Sequence, residues 1–112
     1  MPDAIGIVEM YGYVAAMTAA DAAAKAADVK IIAIDTNRPK NAKDPVPLIT
    51  VVKMQGSVSA VTAAVEAAAE TANRVTGLIQ RHIIARPTDD AQKMALRSSV
   101  GKEKVGHIKN NA

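Results

Sequence analysis

The sequence predicts an α/β chain of the α+β kind, and three observations carry that prediction. First, one phrase occurs twice: Ile5 to Ala20 and Ile49 to Ala64 align with Gly12 over Gly56, 44 residues apart. At that offset Ile5, Val8, Met10, Val14, Ala16, Thr18, Ala19 and Ala20 meet identical residues, so one supersecondary unit is repeated. Second, each copy is apolar before its glycine and alanine-rich after it, where the period changes from that of a strand to that of a helix. Third, each alanine-rich stretch is followed by another short apolar run, Lys30 to Asp35 and Leu78 to Ile84.

From Ala4 to Met10, residues Ile5, Ile7 and Glu9 alternate with Gly6, Val8 and Met10, as a strand with two unlike faces requires. From Tyr13 to Ala27, Val14, Met17, Ala20, Ala24 and Ala27 recur at spacings of three and four, which predicts an amphipathic helix with that stripe inward. The continuous run Ile31-Ile32-Ala33-Ile34 predicts a strand that is central or covered on both faces. Residues 36–47 hold three prolines and no apolar period, so they read as an extended loop.

Leu48 to Gln55 is the third strand. Ser57 is an N-cap for a second helix with Val58, Val61, Val65, Ala68 and Ala72 inward, ended by Asn73 and Gly77. Leu78 to Ile84 is the fourth strand. After Pro87, Thr88 or Asp89 can cap a short helix that has Asp89 and Asp90 in its first turn and Lys93 and Arg97 near its end. The resulting order is a ferredoxin-like βαββαβ sandwich with an antiparallel sheet, plus a short C-terminal helix. Its domain spans residues 4–87, with halves 4–35 and 48–85; residues 88–112 are the short helix and a mobile basic tail.

A chain of 112 residues, about half apolar and 22% charged, supports one globular domain. It contains no Phe and no Trp. A core of Ala, Val and Ile buries little area per side chain at about 25 cal/mol per Å², so contacts between subunits are expected to supply part of the stability. Cysteine is absent, which excludes disulfides, thiolate metal sites and cysteine catalysis and agrees with a cytoplasmic location. No basic leader precedes an apolar stretch, and Glu9 and Asp21 interrupt the longest apolar region, so no membrane span is expected.

Chemistry is hard to assemble from what remains. His82 lies in an apolar strand, where it reads as a hydrogen-bonded structural histidine, and His107 lies in the tail. Neither has metal-ligand spacing to a second donor, so no metal site, cofactor or catalytic residue is assigned. The net charge of +3 is mild, and Ile34, Val51 and Val52 stand where an RNA-reading sheet would need aromatics, so nucleic acid is not an expected partner. Tyr11 and Tyr13, at the first strand–helix junction, read as residues of a core edge or a subunit contact.

The stretch Ile5-Gly6-Ile7-Val8-Glu9-Met10-Tyr11-Gly12-Tyr13-Val14-Ala15-Ala16, with Ala19 to Val29 after it, closely resembles the opening of the hexameric shell proteins of bacterial microcompartments. Gly56-Ser57-Val58-Ser59-Ala60-Val61 and His82-Ile83-Ile84-Ala85-Arg86-Pro87 resemble that family's second helix start and last strand. The resemblance implies a homohexamer that tiles edge to edge with other shell proteins into a layer around encapsulated enzymes, with a central pore for metabolites. It implies no enzymatic activity and no cofactor.

By the same resemblance, Lys25 is the edge lysine that meets its own copy across the two-fold axis between hexamers, with Asp28 helping to neutralise it. Arg86 corresponds to the edge arginine that reaches toward the neighbouring hexamer, although Ala85 and Thr88 stand where the family has Pro and His. The family's short Gly-rich pore loop is replaced by a longer segment holding Asn37, Arg38, Pro39, Lys40, Asn41, Lys43 and Asp44. Counted from Asp35 to Asp44, three positive charges meet two negative ones, near +1 per copy and about +6 around a six-fold ring, which favours anionic metabolites. The competing reading is a trimeric ferredoxin-like ligand-sensing protein that uses the basic Arg38 to Lys43 segment for nucleotides, though it lacks a Gly-rich phosphate loop.

Overall fold

A computed structural model of the protein describes residues 3–37 and 48–96. The elements are β1 (Ala4–Tyr11), α1 (Tyr13–Ala26), β2 (Lys30–Asn37), β3 (Ile49–Gly56), α2 (Val58–Val75), β4 (Leu78–Ile84) and α3 (Asp89–Leu96). The four strands form one sheet in the order β2-β3-β1-β4, with every neighbouring pair antiparallel. This is the predicted α+β sandwich, in which α1 and α2 pack side by side on one face of the sheet.

The pleat of β1 explains the core. Val8 and Met10 point into it and are fully buried with Val52 and Met54 of β3, against Ala15, Ala16, Ala19, Ala20 and Ala23 of α1 and Val61, Val65, Ala68 and Ala72 of α2. Gly6 is on the same face, where α2 comes so close that a Cβ would stand 2.5 Å from Val65 Cγ2 and 2.8 Å from Val61 Cγ1. Only a residue without a side chain allows that approach.

The inward face of α1 differs from the predicted stripe. Val14 is 75% exposed, Met17 is 50% exposed and Ala24 is also exposed, while five alanines are buried instead. Small side chains let α1 lie close to α2 and the sheet, and the burial gained along that whole face outweighs burial of two larger residues. In α2 the predicted stripe is buried from Val61 onward, and Val58 in its first turn is exposed.

β2 also departs from expectation: it is an edge strand, not a central one. Its long apolar run arises because Ile31 and Ile34 pack on the core, the register shifts between Ile31 and Ala33, and Ala33 is buried outside the main cluster. β2 further takes in Thr36 and Asn37, both assigned to the loop from sequence, because each pairs with β3, Thr36 with Thr50 and Asn37 with Ile49. α3 packs against β2 with Ala95 as its buried residue. It is capped by Thr88, whose hydroxyl accepts from Ala91 N at 3.1 Å, rather than by Asp89.

Candidate functional site

Because adjacent strands run antiparallel, the chain connections fall at two ends of the sheet. At one end Ala4 pairs with Gly56, Ile5 with Ile84 and Lys30 with Gln55. There α1 finishes, α2 begins, and the chain leaves β4 toward Arg86. At the other end Tyr11 and Asn37 both pair with Ile49, and Met10 pairs with Leu78. An eight-residue strand separates the two ends by roughly 25 Å.

Lys25, Asp28 and Arg86 therefore share the first end. Lys25 lies in the last turn of α1, Asp28 in the turn before β2, and Arg86 in the bend after β4; all three are exposed. Lys25 Nζ lies 2.7 Å from Asp21 Oδ2, four residues earlier on the same helix face. This hydrogen bond, and then the charge of Asp21, hold the Lys25 ammonium above its ordinary range. Asp21, not Asp28, is thus the partner of Lys25 in the subunit. The helix ends before Asp28, which has lost the one-turn spacing and instead lines a surface cavity of about 400 Å³ with Asp3, Lys30, Gln55 and Ser57. The i, i+4 spacing of Asp21 and Lys25 was a readable signal for this pair. In the same turn, Gly56 leaves room for the Asp28 carbonyl, which a Cβ would meet at 3.1 Å.

Arg38, Pro39, Lys40, Asn41, Lys43 and Asp44 lie outside the described residues; the segment that carries them leaves from Asn37 and returns at Leu48, at the second end. Two bonds brace that end. Gly12 N donates to Leu48 O at 2.7 Å, with Gly12 at φ +90°, where a Cβ would be strained, and Thr76 Oγ1 donates to Tyr11 O at 2.7 Å. Asp35, counted with the loop charges from sequence, belongs to β2 and forms an ion pair with Lys53 of β3. Without it, residues 38–44 carry three positive charges against one negative, which doubles the net charge of the segment to +2.

Nothing in the described residues assembles a reaction centre. No group of three or more His, Asp or Glu stands where it could hold a metal ion among them. His82, read from the sequence as a hydrogen-bonded structural histidine, is exposed on β4, the sheet's other edge strand. It lines an open cleft of about 360 Å³ with Thr62, Val65, Glu66, Arg81 and Ile83, in which the Thr62 hydroxyl donates to Val58 O at 2.7 Å. Among the described residues no helix is long and apolar enough to cross a membrane.

The sequence profile of the BMC domain matches residues 4–87. The chain is 37% identical over 94 residues to the carboxysome shell protein CcmK2 of Synechococcus elongatus, covering 82% of this chain and 84% of that protein. It is 37% identical over 92 residues to the bacterial microcompartment shell protein PduA of Salmonella typhimurium, covering 82% and 89%. Among solved structures, a microcompartments protein from Desulfitobacterium hafniense superposes with a TM-score of 0.65 at 22% identity, over 90% of this chain. This chain spans about half of that structure's chain, 51%, so the likeness concerns the fold.

Proposed function

The chain belongs to the BMC-domain family, and from that premise we propose that it is a structural subunit of a microcompartment shell: a homohexamer that tiles edge to edge and leaves a central pore for small anions. Its role is that of a shell protein and not of an enzyme, as with the relatives it matches. The compartment is cytoplasmic, and the hexamer's partners are other shell proteins of the same layer and the enzymes enclosed by it.

One observation supports the finer reading most. Lys25, Asp28 and Arg86 lie at one end of the sheet and the connection 38–47 leaves from the other, roughly 25 Å away. A wedge with tiling residues on its broad outer end and a pore loop at its inner end needs this separation. In such a ring the net +2 on residues 38–44 repeats six times, to about +12, and a ring of like charge selects ions of the opposite sign. Each contact at Lys25 or Arg86 is exposed and weak alone, but a layer repeats it along every edge.

Sizing of the purified protein together with electron microscopy tests the reading. Hexamers that assemble into flat sheets or tubes are expected. A trimer that binds ATP and never forms a layer would replace the shell role by the ligand-sensing one.

A further inference from the structure

The face of α1 that turns away from the subunit is a single line of residues with two characters. Val14, Met17, Asp21 and Lys25 follow one another at spacings of three and four, so they align along one side of the helix, opposite the five buried alanines. The half nearest Gly12 is apolar, with Val14 75% and Met17 50% exposed and Tyr13 beside them. The half nearest Asp28 is a charged pair that sums to zero, Asp21 with Lys25. With 14 residues the helix is about 21 Å long, so its two halves belong to the two opposite ends of the subunit.

We propose that this one face makes two different contacts between copies of the chain: Val14 and Met17 are covered by the neighbouring copy inside the ring, and Asp21 with Lys25 remains on the outer rim for the contact between rings. The inference rests on the hexameric shell reading and deepens it, by assigning residues to the contact within the ring.

For Met17 the internal repeat shows that the side chain has been turned out of its own subunit, while Val14 and its counterpart Val58 are both exposed. The residue that matches Met17 in the second copy is Val61, fully buried beside Gly6, whereas α1 has turned its alanines to the sheet and its larger residues outward. A closed ring is built from a head-to-tail contact, in which each copy offers one patch to a different surface of the next. In the hexamer proposed above the loop end of the subunit faces the ring axis, which puts the inner half of α1 within reach of a ring neighbour and not of another ring. The outer half fits the opposite situation: Asp21 balances Lys25, so two copies can meet across a two-fold axis without the repulsion of bare lysines.

The chain has no cysteine, so V14C, M17C and K25C each introduce one thiol whose reaction with a maleimide reports its cover. In the hexamer fraction, before sheets form, thiols at 14 and 17 should react roughly tenfold or more slowly than in the urea-unfolded chain, and the thiol at 25 should react freely. The thiol at 25 should become protected only in assembled sheets. V14E/M17E, at exposed positions, should keep its circular dichroism and run as a monomer. Free reaction at 14 and 17 in hexamers, or a V14E/M17E hexamer, overturns the division of the face while the shell reading survives. A wild-type chain that is monomeric overturns both.

Discussion

Lys25 Nζ and Asp21 Oδ2 are 2.7 Å apart, one helical turn from each other on the exposed face of α1, at the end of the subunit that also carries Arg86. The lysine is therefore held by a local partner before any neighbour arrives. Replacing it should leave the subunit and its ring intact, since a solvent-exposed pair of this kind contributes little to folding. Lys25→Ala is expected to give hexamers of unchanged stability that no longer form sheets or tubes in electron micrographs; persistent sheets would remove Lys25 from the edge.

Asp21 raises the Lys25 amine above the ordinary lysine value of 10.5, through its hydrogen bond first and its charge second. A raised value means that the pair contributes fully below the unfolded value and is lost as pH rises through the higher folded one. Layer assembly that depends on this ammonium should be constant between about pH 7 and 9 and should fall only above the ordinary lysine range. Lys25→Arg, which stays charged, should move the fall to higher pH. Light scattering against pH reads both; a wild-type loss near neutral pH would contradict the assignment.

Gly6 and Val65 define how closely α2 approaches the sheet, since a Cβ on Gly6 would stand 2.5 Å from Val65 Cγ2. Gly6→Ala should destabilise the subunit by about 1–3 kcal/mol through overpacking. A second change, Val65→Ala, should recover part of that loss although it is destabilising alone. Urea unfolding of the single and double variants measures the coupling, and strictly additive losses would mean that α2 shifts freely.

Ser57 Oγ accepts from Ala60 N at 3.2 Å and caps α2. Ser57→Ala should cost about 1 kcal/mol, and Ser57→Asp should retain most of the stability. Because Ser57 is exposed and far from the loop end, the change should lower the unfolding midpoint without altering ring size.

Arg38, Lys40 and Lys43 carry the positive charge of the loop segment. Exchanging all three for Glu reverses its net sign, so uptake or binding of small anions by assembled layers should drop while cations gain. Flux or equilibrium dialysis with one anion and one cation reads the ratio. Unchanged anion behaviour would detach the loop from the pore.

Much of the fold was legible because its signals are local. The repeat about Gly12 and Gly56, the alternation of β1 and the cap at Ser57 depend on neighbours within a few residues, and each was recovered. The two glycines that align in sequence nevertheless serve different ends, Gly12 a positive φ and Gly56 a close approach to Asp28. The Asp21–Lys25 pair is within reach of the i, i+4 rule, whereas Asp28 was assigned to Lys25 by resemblance and lies beyond the end of the helix. The inward face of α1, the edge position of β2 and the exposure of His82 were not local. Each depends on which surface another element covers, and an apolar residue reads the same whether its own core or a neighbouring molecule buries it.

By itself, then, the sequence determined the strand and helix order, the paired halves and the family to which they belong, because periodicity and capping are written within single turns and strands. Only the tertiary structure decided that Lys25, Asp28 and Arg86 gather at one end of the sheet, that the loop leaves from the other, and that Val14 and Met17 face outward. Strand register and helix rotation are set by packing across the whole sandwich, where alanines permit the closest approach, and no single stretch of chain contains that information.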